Sequence, residues 1–319
     1  MTTPAPSSPA PEEPTARVAL STPAELGECP RWHAGEARLY WVDIARCALH
    51  RFDPARGTDE ARRFAAPVGC FAFVAGGGLM LGMKDGFAFL PDWAAEPIPY
   101  GPRFLAGRPD LRLNDGRTDS RGRFWAGSVN TAKSAADAAL YRLEADGTVR
   151  TVAGGMLTCN GAAFDAGDRH FFHADTPTHR VRRYTLDPQG DLADERPFHQ
   201  FPMGRGRPDG GSADEAGFYW SALFDGGRVV RLAPDGAIVA SVALPVSRPT
   251  MIAFGGEDRR TAYVTSARAG LSADALAREP LAGSIFSFRV AIPGVPEHPY
   301  RSLRRPPAPA TPAPEGALP

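Results

Sequence analysis

A short segment of aromatic and aliphatic residues recurs six times along this chain and limits its fold more than any other feature. Each copy looks like a β-strand and is followed by a turn and a second strand-like segment. The landmarks of the six copies are Tyr40, Leu79, Phe124, Phe171, Tyr219 and Tyr263. Successive landmarks are 39, 45, 47, 48 and 44 residues apart, and no stretch has a sustained helical period. The chain is therefore predicted to be all-β and built from six similar units.

The second segments of these units alternate apolar and polar residues, as half-buried antiparallel strands do. Asp-Gly turns at 146–147 and 235–236 lead into further strands. A repeat of 40 to 50 residues made of several short strands is typical of a β-propeller blade. We therefore predict a six-bladed β-propeller over residues 17–291, in which a strand at residues 16–20 joins the last blade and closes the ring.

The two ends of the chain have a different composition. Residues 1–16 and 292–319 are rich in proline and alanine and poor in bulky apolar side chains, and the second range contains nine prolines. Such segments bury too little apolar surface to offset the entropy lost on ordering. Both are predicted to be disordered tails.

Charge and hydropathy argue against several classes of partner. Lys+Arg and Asp+Glu both number 36, and we find no basic run of the kind that nucleic acid or an anionic membrane would require. An uncharged run, residues 68–83, is interrupted by five glycines and is too short to cross a bilayer. The amino end lacks the features of a signal peptide. We expect a cytoplasmic protein, monomeric or weakly self-associating, whose partner is a small molecule.

Polar residues precede the innermost strand of most predicted units. The six equivalent positions are Glu28, Cys70, Asn114, Asn160, Asp209 and Thr250. In a propeller these loops meet at one end of the central channel, so two carboxylates and two carboxamides would converge there. Acids that face one channel repel each other unless a cation lies between them. We predict a central metal site in which Glu28, Asn160 and Asp209 hold one ion.

Each of these residues also has a simpler explanation. Asp or Asn before Gly commonly forms a turn, and only the convergence of several such residues favours a metal site. Cys29 and Cys159 adjoin two predicted ligands, but adjacent side chains of extended backbone point to opposite faces, so both thiols are expected to be buried. The four cysteines lack the C-x-x-C spacing and fit a reducing compartment.

Oxygen ligands suit calcium, magnesium or manganese, and carboxylates also bind zinc and ferrous iron, so the identity of the divalent cation stays open. Three protein ligands would leave coordination positions free for catalysis. Arg112 and Asn114 are predicted to bind substrate oxygens at the same rim, although Arg112 could instead form an ion pair with Asp110 or Asp115.

Other polar residues rank lower as site residues. Asp43, His173 and Asp175 follow second strands and are expected to form turns or hydrogen bonds between blades. No Ser-His-Asp arrangement, G-x-S-x-G elbow or phosphate-binding glycine motif is found.

Several motifs resemble the regucalcin and gluconolactonase family, also called senescence marker proteins. They include Leu-Gly-Glu-Cys-Pro-Arg-Trp at 26–32, Arg-Leu-Asn-Asp-Gly at 112–116, Cys-Asn-Gly at 159–161, Arg-Pro-Asp-Gly at 207–210 and Tyr-Val-Thr-Ser-Ala-Arg at 263–268. The resemblance covers nearly the whole chain between the tails. It implies a six-bladed propeller that hydrolyses sugar lactones with a divalent cation, with metal ligands at Glu28, Asn160 and Asp209 and substrate contacts at Arg112 and Asn114.

Two details of the motifs concern the substrate. The Glu-Cys-Pro variant is similar to bacterial members that act on aldonolactones such as arabinonolactone and xylonolactone. Some members have a substrate-contacting glutamate shortly after the segment that corresponds to residues 126–129, whereas this chain has Asn130, Thr131, Ala132 and Lys133 and no acid before Asp137. The resemblance therefore leaves open what replaces that glutamate.

Together these features predict a metal-dependent lactonase that converts an aldonolactone, such as arabinono-, xylono- or gluconolactone, to the aldonic acid. Asp209 is the candidate base for the attacking water. Two alternatives remain, an organophosphate or ester hydrolase and a non-enzymatic calcium-binding propeller.

Overall fold

The structure, a computed structural model, describes residues 14–303. In this range the chain forms six four-stranded antiparallel sheets. The innermost strand of each sheet contacts the innermost strands of the sheets before and after it, and the sixth contacts the first. The predicted six-bladed β-propeller is therefore confirmed.

The blades follow the chain in order, and each runs from the innermost strand outward. Blade 1 contains β2 (Gly27–His33), β3 (Arg38–Asp43), β4 (Ala48–Asp53) and β5 (Thr58–Arg63). Blade 2 contains β6 (Val68–Phe73), β7 (Leu79–Met83), β8 (Phe87–Leu90) and β9 (Ile98–Tyr100). Blade 3 contains β10 (Leu111–Thr118), β11 (Phe124–Asn130), β12 (Ala138–Leu143) and β13 (Val149–Met156).

The other half of the ring is built in the same way. Blade 4 contains β14 (Cys159–Phe164), β15 (His170–Asp175), β16 (Arg180–Leu186) and β17 (Leu192–Gln200). Blade 5 contains β18 (Arg207–Ala213), β19 (Tyr219–Phe224), β20 (Arg228–Leu232) and β21 (Ile238–Ala243). Blade 6 contains β22 (Pro249–Gly255), β23 (Thr261–Ser266), β24 (Ile285–Arg289) and, outermost, β1 (Arg17–Leu20).

The first strand closes the ring as predicted. β1 pairs antiparallel with β24, and Arg17 lies opposite Ser287. A 3-10 turn, Thr176–Thr178, follows β15, and a short helix, α1 (Ala273–Arg278), precedes β24. No helix within residues 14–303 is long and apolar enough to span a membrane.

All six innermost strands break register with their neighbours at the same level. The breaks fall between Glu28 and Arg31, Val68 and Cys70, Leu113 and Gly116, Asn160 and Ala163, Pro208 and Gly211, and Pro249 and Met251. A β-bulge leaves a residue outside the ladder and re-aims its side chain. The six positions that the sequence pattern selected all lie at these bulges.

The core lies between the faces of adjacent blades and is rich in aromatic rings. Trp41 and Trp125 are fully buried. Near the far end of the innermost strands, Asp119 and Asp214 accept hydrogen bonds from Trp125 Nε1 and Trp220 Nε1 over 2.8 and 3.0 Å. These bonds satisfy the indole N–H groups and tie second strands to the ends of the innermost ones.

Residues 292–303, here called the C-terminal strap, cross the end of the propeller at which the innermost strands finish. The Val295 amide donates to Ala213 O over 3.0 Å and the Tyr300 amide to Phe73 O over 2.7 Å. Tyr300 is fully buried, and its hydroxyl donates to Glu144 O over 2.8 Å.

The expectation of a disordered tail is thus wrong for the strap. Composition suggested disorder, but backbone pairing to ends of β-strands and the burial of one tyrosine order this segment. Residues 1–13 and 304–319 of the predicted tails lie outside the described residues.

Candidate active site

Four polar side chains from four blades converge where the innermost strands begin. Glu28, Asn114, Asn160 and Asp209 lie on β2, β10, β14 and β18, and each is at most 7% exposed. We call this set the channel mouth. The other two equivalent positions carry no further ligand group: Cys70 is a buried thiol, and Thr250 donates its hydroxyl to Gly27 O over 2.5 Å.

A chain of hydrogen bonds links three blades across the channel mouth. Arg112 donates a guanidinium N–H to Asn114 Oδ1 over 2.8 Å, and Asn114 Nδ2 donates to Asn160 Oδ1 over 2.7 Å. Asn160 Nδ2 donates to Thr176 Oγ1, and that hydroxyl donates to Pro208 O, both over 2.8 Å. The chain fixes the orientation of both amides and leads to the residue before Asp209.

Asp209 is the side chain whose environment most suggests a missing partner. Its Oδ1 atom is buried and has no hydrogen-bond partner among the described residues. Burial and the nearby charge of Asp115 raise the pKa of Asp209 to about 8, although Arg207 and Lys133 act in the opposite direction. Burying an ionised carboxylate oxygen without a hydrogen-bond partner is energetically unfavourable. The environment of Asp209 therefore favours binding of a proton or of a cation.

Glu28 is also a buried carboxylate near other acids. Burial, and next the charges of Asp209 and Asp115, raise the pKa of Glu28 well above its usual range. Arg112 and the amide of Cys29 lower it in part. Glu28 and Asp209 therefore repel each other when both are ionised.

The residues at the channel mouth fit a hard divalent cation. Two repelling carboxylates, one of them with an unpartnered oxygen, and an amide oxygen form a donor set of the kind that calcium or manganese binds. Within residues 14–303 no cluster of three or more His, Cys, Asp or Glu side chains is suited to a metal. The set at the mouth has two acids and depends on Asn160 for its third oxygen, and the metal site stays a prediction.

The cysteines next to the predicted ligands are buried thiols, as expected. Cys29 adopts a left-handed backbone conformation, with φ of 47°, and its side chain lies against Phe71 O. Burial raises the pKa of Cys29 to about 11, and burial likewise raises the pKa of Cys159. Neither group is a thiolate near neutral pH.

Below the channel mouth lies a layer of buried charges that the sequence pattern did not reveal. Asp115 accepts the amides of Gly116 and Ala162 over 2.7 and 2.9 Å and lies 3.9 Å from Arg31. Arg112 forms no ion pair with Asp115 or with any other acid in residues 14–303. The alternative interpretation of Arg112 as an ion-pair partner of Asp110 or Asp115 is therefore wrong.

Glu297 of the C-terminal strap completes this layer. It lies 2.8 Å from Arg117 and 3.5 Å from Arg31, both of which are buried. Two acids, Asp115 and Glu297, thus balance two guanidinium groups inside the channel. The strap supplies a charge that the ring itself lacks.

Asp43 and Asp175 have the structural role predicted for them. Asp43 accepts the amides of Glu25 and Leu26 over 2.8 and 3.1 Å, and Asp175 accepts the amide of Thr158 over 3.0 Å. Each bond holds the loop that leads into an innermost strand. His173 is buried, and burial lowers its pKa to about 3, so the ring is neutral.

Two residues near the channel mouth were not predicted to belong to the site. Thr176 bridges Asn160 and Pro208, and its position directly after Asp175 was the one available signal. The Lys133 ammonium donates a hydrogen bond to Thr158 Oγ1. Lys133 lies in the segment that lacks the glutamate found in some family members. Its proximity to the mouth depends on how the loop after β11 folds back, which the strand repeat does not predict.

Comparisons with known proteins agree on one family. The model of the family described as SMP-30/Gluconolactonase/LRE-like region matches residues 26–268. A 6-deoxy-6-sulfogluconolactonase from Pseudomonas putida is 41% identical over 286 residues, which span 89% of this chain and 97% of that protein. The pentonolactonase XacC from Haloferax volcanii is 34% identical, with 87% of this chain and 95% of that protein covered.

A solved structure agrees with these relatives. The calcium-binding protein regucalcin from Agrobacterium tumefaciens superposes with a TM-score of 0.86 at 25% identity, covering 91% of this chain and 98% of that one. The family model covers most of the ring, and the two lactonases match over at least 95% of their own length. This chain belongs to the SMP-30/gluconolactonase/LRE-like family, a family of sugar lactonases.

Proposed function

We propose that this protein is a divalent-metal-dependent lactonase that hydrolyses an aldonolactone to the aldonic acid. Glu28, Asn160 and Asp209 would hold the cation, and Arg112 and Asn114 would hold the sugar. The observation that carries the proposal is the buried, unpartnered Oδ1 of Asp209 beside the repelling carboxylate of Glu28. The names of two relatives, a sulfogluconolactonase and a pentonolactonase, support an aldonolactone as substrate.

A bound divalent cation would supply Lewis acidity towards the lactone carbonyl and compensate the charge that develops on its oxygen. Glu28 and Asp209 would contribute one carboxylate each. Asn160 Oδ1 has two lone pairs, of which Asn114 occupies one, so the second is free for the cation. Three protein ligands leave room for water and substrate.

Arg112 and Asn114 have spare hydrogen-bonding capacity for sugar hydroxyls. Asn114 Nδ2 donates to Cys159 O and Asn160 Oδ1 over 3.0 and 2.7 Å, so both of its N–H groups are occupied. Its Oδ1 accepts one bond from Arg112 and can accept a second from a hydroxyl. The remaining N–H groups of Arg112 can donate to ring or hydroxyl oxygens.

Asp209 is proposed to accept the proton of the attacking water. A cation next to this carboxylate favours the ionised form and so opposes the effect of burial on its pKa. The water oxygen bonds to the carbonyl carbon while its proton passes to Asp209. The bond between that carbon and the ring oxygen then breaks, and the proton moves to the released ring oxygen, which gives the open-chain acid.

A second function, cation binding without catalysis, is favoured by one observation. The structural neighbour from Agrobacterium tumefaciens is named a calcium-binding protein. The same donor set would serve either purpose, but a structural ion has no need of the free donors of Arg112. Turnover distinguishes the two functions.

The experiment is to remove the metal, reconstitute the protein separately with calcium, zinc, manganese and ferrous iron, and assay each form on pentono- and hexonolactones. The proposal predicts that at least one metal restores saturable lactone hydrolysis that a chelator abolishes. Equal activity with and without metal would contradict metal dependence. A cation that raises the melting temperature without turnover of any lactone would favour the binding function.

A further inference from the structure

Lysine is rare in this protein, and one of its lysines lies beside the channel mouth. The sequence has two lysines, Lys84 and Lys133, against 34 arginines. Lys84 lies in the turn between β7 and β8 and is exposed. Lys133 lies in the loop between β11 and β12, on the same side of the ring as the mouth.

The loop that carries Lys133 is fixed by backbone hydrogen bonds. The Thr131 amide donates to Asp110 O over 2.8 Å, and the Asn130 amide donates to Leu157 O over 3.0 Å. Lys133 itself has φ of 54°, and its amide donates to Asn130 O over 3.0 Å. The left-handed turn fixes the direction in which the Lys133 side chain leaves the backbone.

The ammonium of Lys133 crosses from blade 3 to blade 4. It donates to Thr158 Oγ1, and Thr158 lies two residues before Asn160. The charge of Lys133 acts on Asp209 and on Arg112, as the pKa shifts of Asp209 and Lys133 reflect. Lys133 therefore lies at the rim of the channel mouth.

The rim carries two cationic side chains, and Glu28 is the carboxylate whose charge acts on Arg112. Within residues 14–303, neither Arg112 nor Lys133 forms an ion pair; the hydrogen-bond partners of Arg112 are Asn114 and Leu113 O, and that of the Lys133 ammonium is Thr158. With a divalent cation between Glu28 and Asp209, those two acids would be compensated. Two positive charges would then remain at the rim.

We propose that the substrate of this site is an aldonolactone that carries an anionic substituent, and that Lys133 binds this substituent at the rim. This rests on the proposed lactonase function. A sulfonate or a phosphate ester on the carbon farthest from the lactone carbonyl would present tetrahedrally arranged oxygens to the Lys133 ammonium while the carbonyl lies at the channel mouth. Lysine suits such a contact because its ammonium is a compact charge on a flexible side chain and can follow the position of the anion.

The first test compares three substrates that differ at one carbon: gluconolactone, its 6-deoxy-6-sulfonate and its 6-phosphate. The readout is the ratio of kcat/KM for each anionic lactone to that for the neutral one. Lys133→Met should lower this ratio about 10- to 100-fold, since a charge-assisted hydrogen bond is lost, and Lys133→Glu should lower it further. The matched control, Lys84→Met, should keep the ratio of the wild type.

Each kinetic outcome has a defined meaning. A drop of the ratio for the sulfonate alone or for the phosphate alone supports the proposal and identifies the anion. An equal loss on all three lactones would mean that Lys133 supports the fold or the metal, and it would overturn the proposal while leaving the lactonase function intact. Failure of every metal-loaded form to hydrolyse any lactone would overturn both.

The second test does not depend on activity and exploits the two lysines. Metal-loaded protein is acylated with a lysine-selective reagent, and the modification of Lys133 and of Lys84 is measured by peptide mass spectrometry. The 6-sulfonated aldonic acid should protect Lys133 several-fold and leave Lys84 unchanged, whereas gluconate should protect neither. Equal acylation of Lys133 with and without the sulfonated acid would overturn the proposal.

Discussion

Asn114 Nδ2 donates to Asn160 Oδ1 over 2.7 Å, so a residue predicted to bind the sugar is bonded to a residue predicted to bind the metal. The two residues lie on the innermost strands of neighbouring blades. Thr176 fixes the other end of the Asn160 amide. The affinity for metal and the affinity for substrate are therefore expected to depend on the same hydrogen bonds.

Asn114→Ala should impair metal binding as well as substrate binding. Without Asn114 the Asn160 amide loses the donor that orients its oxygen, and partners that orient a ligand typically contribute 10- to 100-fold to metal affinity. We expect a loss of about this size in a calorimetric titration with the activating metal, together with a higher KM. A raised KM with unchanged metal affinity would show that the two sites are independent.

Asp209→Asn should stabilise the metal-free protein while it abolishes stabilisation by metal. Burial and next the charge of Asp209 raise the pKa of Glu28, and burial and next the charge of Asp115 raise the pKa of Asp209. The neutral amide removes the Asp209 charge and with it the repulsion of Glu28 and Asp115. The melting temperature in chelator should rise by several degrees, and addition of the cation should no longer raise it. A lower melting temperature of the metal-free variant would contradict a site strained by like charges.

His173 should make the protein sensitive to acid. Burial lowers the pKa of His173 to about 3, whereas an unfolded histidine titrates near 6.5. The unfolded chain thus binds a proton that the folded chain excludes. The stabilisation due to the neutral ring is complete above about pH 6.5 and is lost as the pH falls, by about 1.4 kcal/mol per pH unit.

The measurement is denaturant unfolding between pH 7 and pH 4 for the wild type and His173→Phe. The phenyl ring keeps an aromatic group against Phe171, 5.9 Å away between ring centroids in the wild type, and cannot bind a proton. The free energy of unfolding of the variant should depend less steeply on pH. Identical slopes would mean that His173 titrates normally.

Glu297→Gln should destabilise the fold, although Glu297 lies in the C-terminal strap and outside the blades. The substitution leaves the buried guanidinium groups of Arg31 and Arg117 without this carboxylate, and breaking a buried ion pair costs about 3 to 5 kcal/mol. The free energy of unfolding measures the loss. Glu257→Gln, an exposed change on the same side of the ring, should have an effect within about 0.5 kcal/mol, and equal effects of both would contradict the account.

The ring and the positions at the channel mouth could be predicted because both follow from one period. Each blade repeats the same succession of strands, so equivalent residues such as Glu28 and Asp209 must meet at one end of the channel. The structure also shows why these residues lie at one level of the channel, because every innermost strand has a bulge at that point.

The strap and the rim lysine could not be predicted from the period because neither belongs to it. Tyr300 is buried against residues more than 150 positions away, such as Glu144 and Phe73, and no local pattern encodes such a contact. Lys133 reaches the mouth through a loop whose course depends on Asp110 and Leu157. Non-repeating contacts of this kind require the folded chain.

The most direct test of the central claim measures bound metal and lactone turnover together in the wild type, Asp209→Ala and Asn160→Ala. The account predicts about one divalent ion per wild-type chain. It also predicts that kcat/KM on the preferred aldonolactone falls about 10²- to 10⁴-fold in Asp209→Ala, because a ligand and the proposed base are lost together. Asn160→Ala should lose metal affinity and activity in parallel. Full activity in both variants, with or without bound metal, would contradict the proposed site.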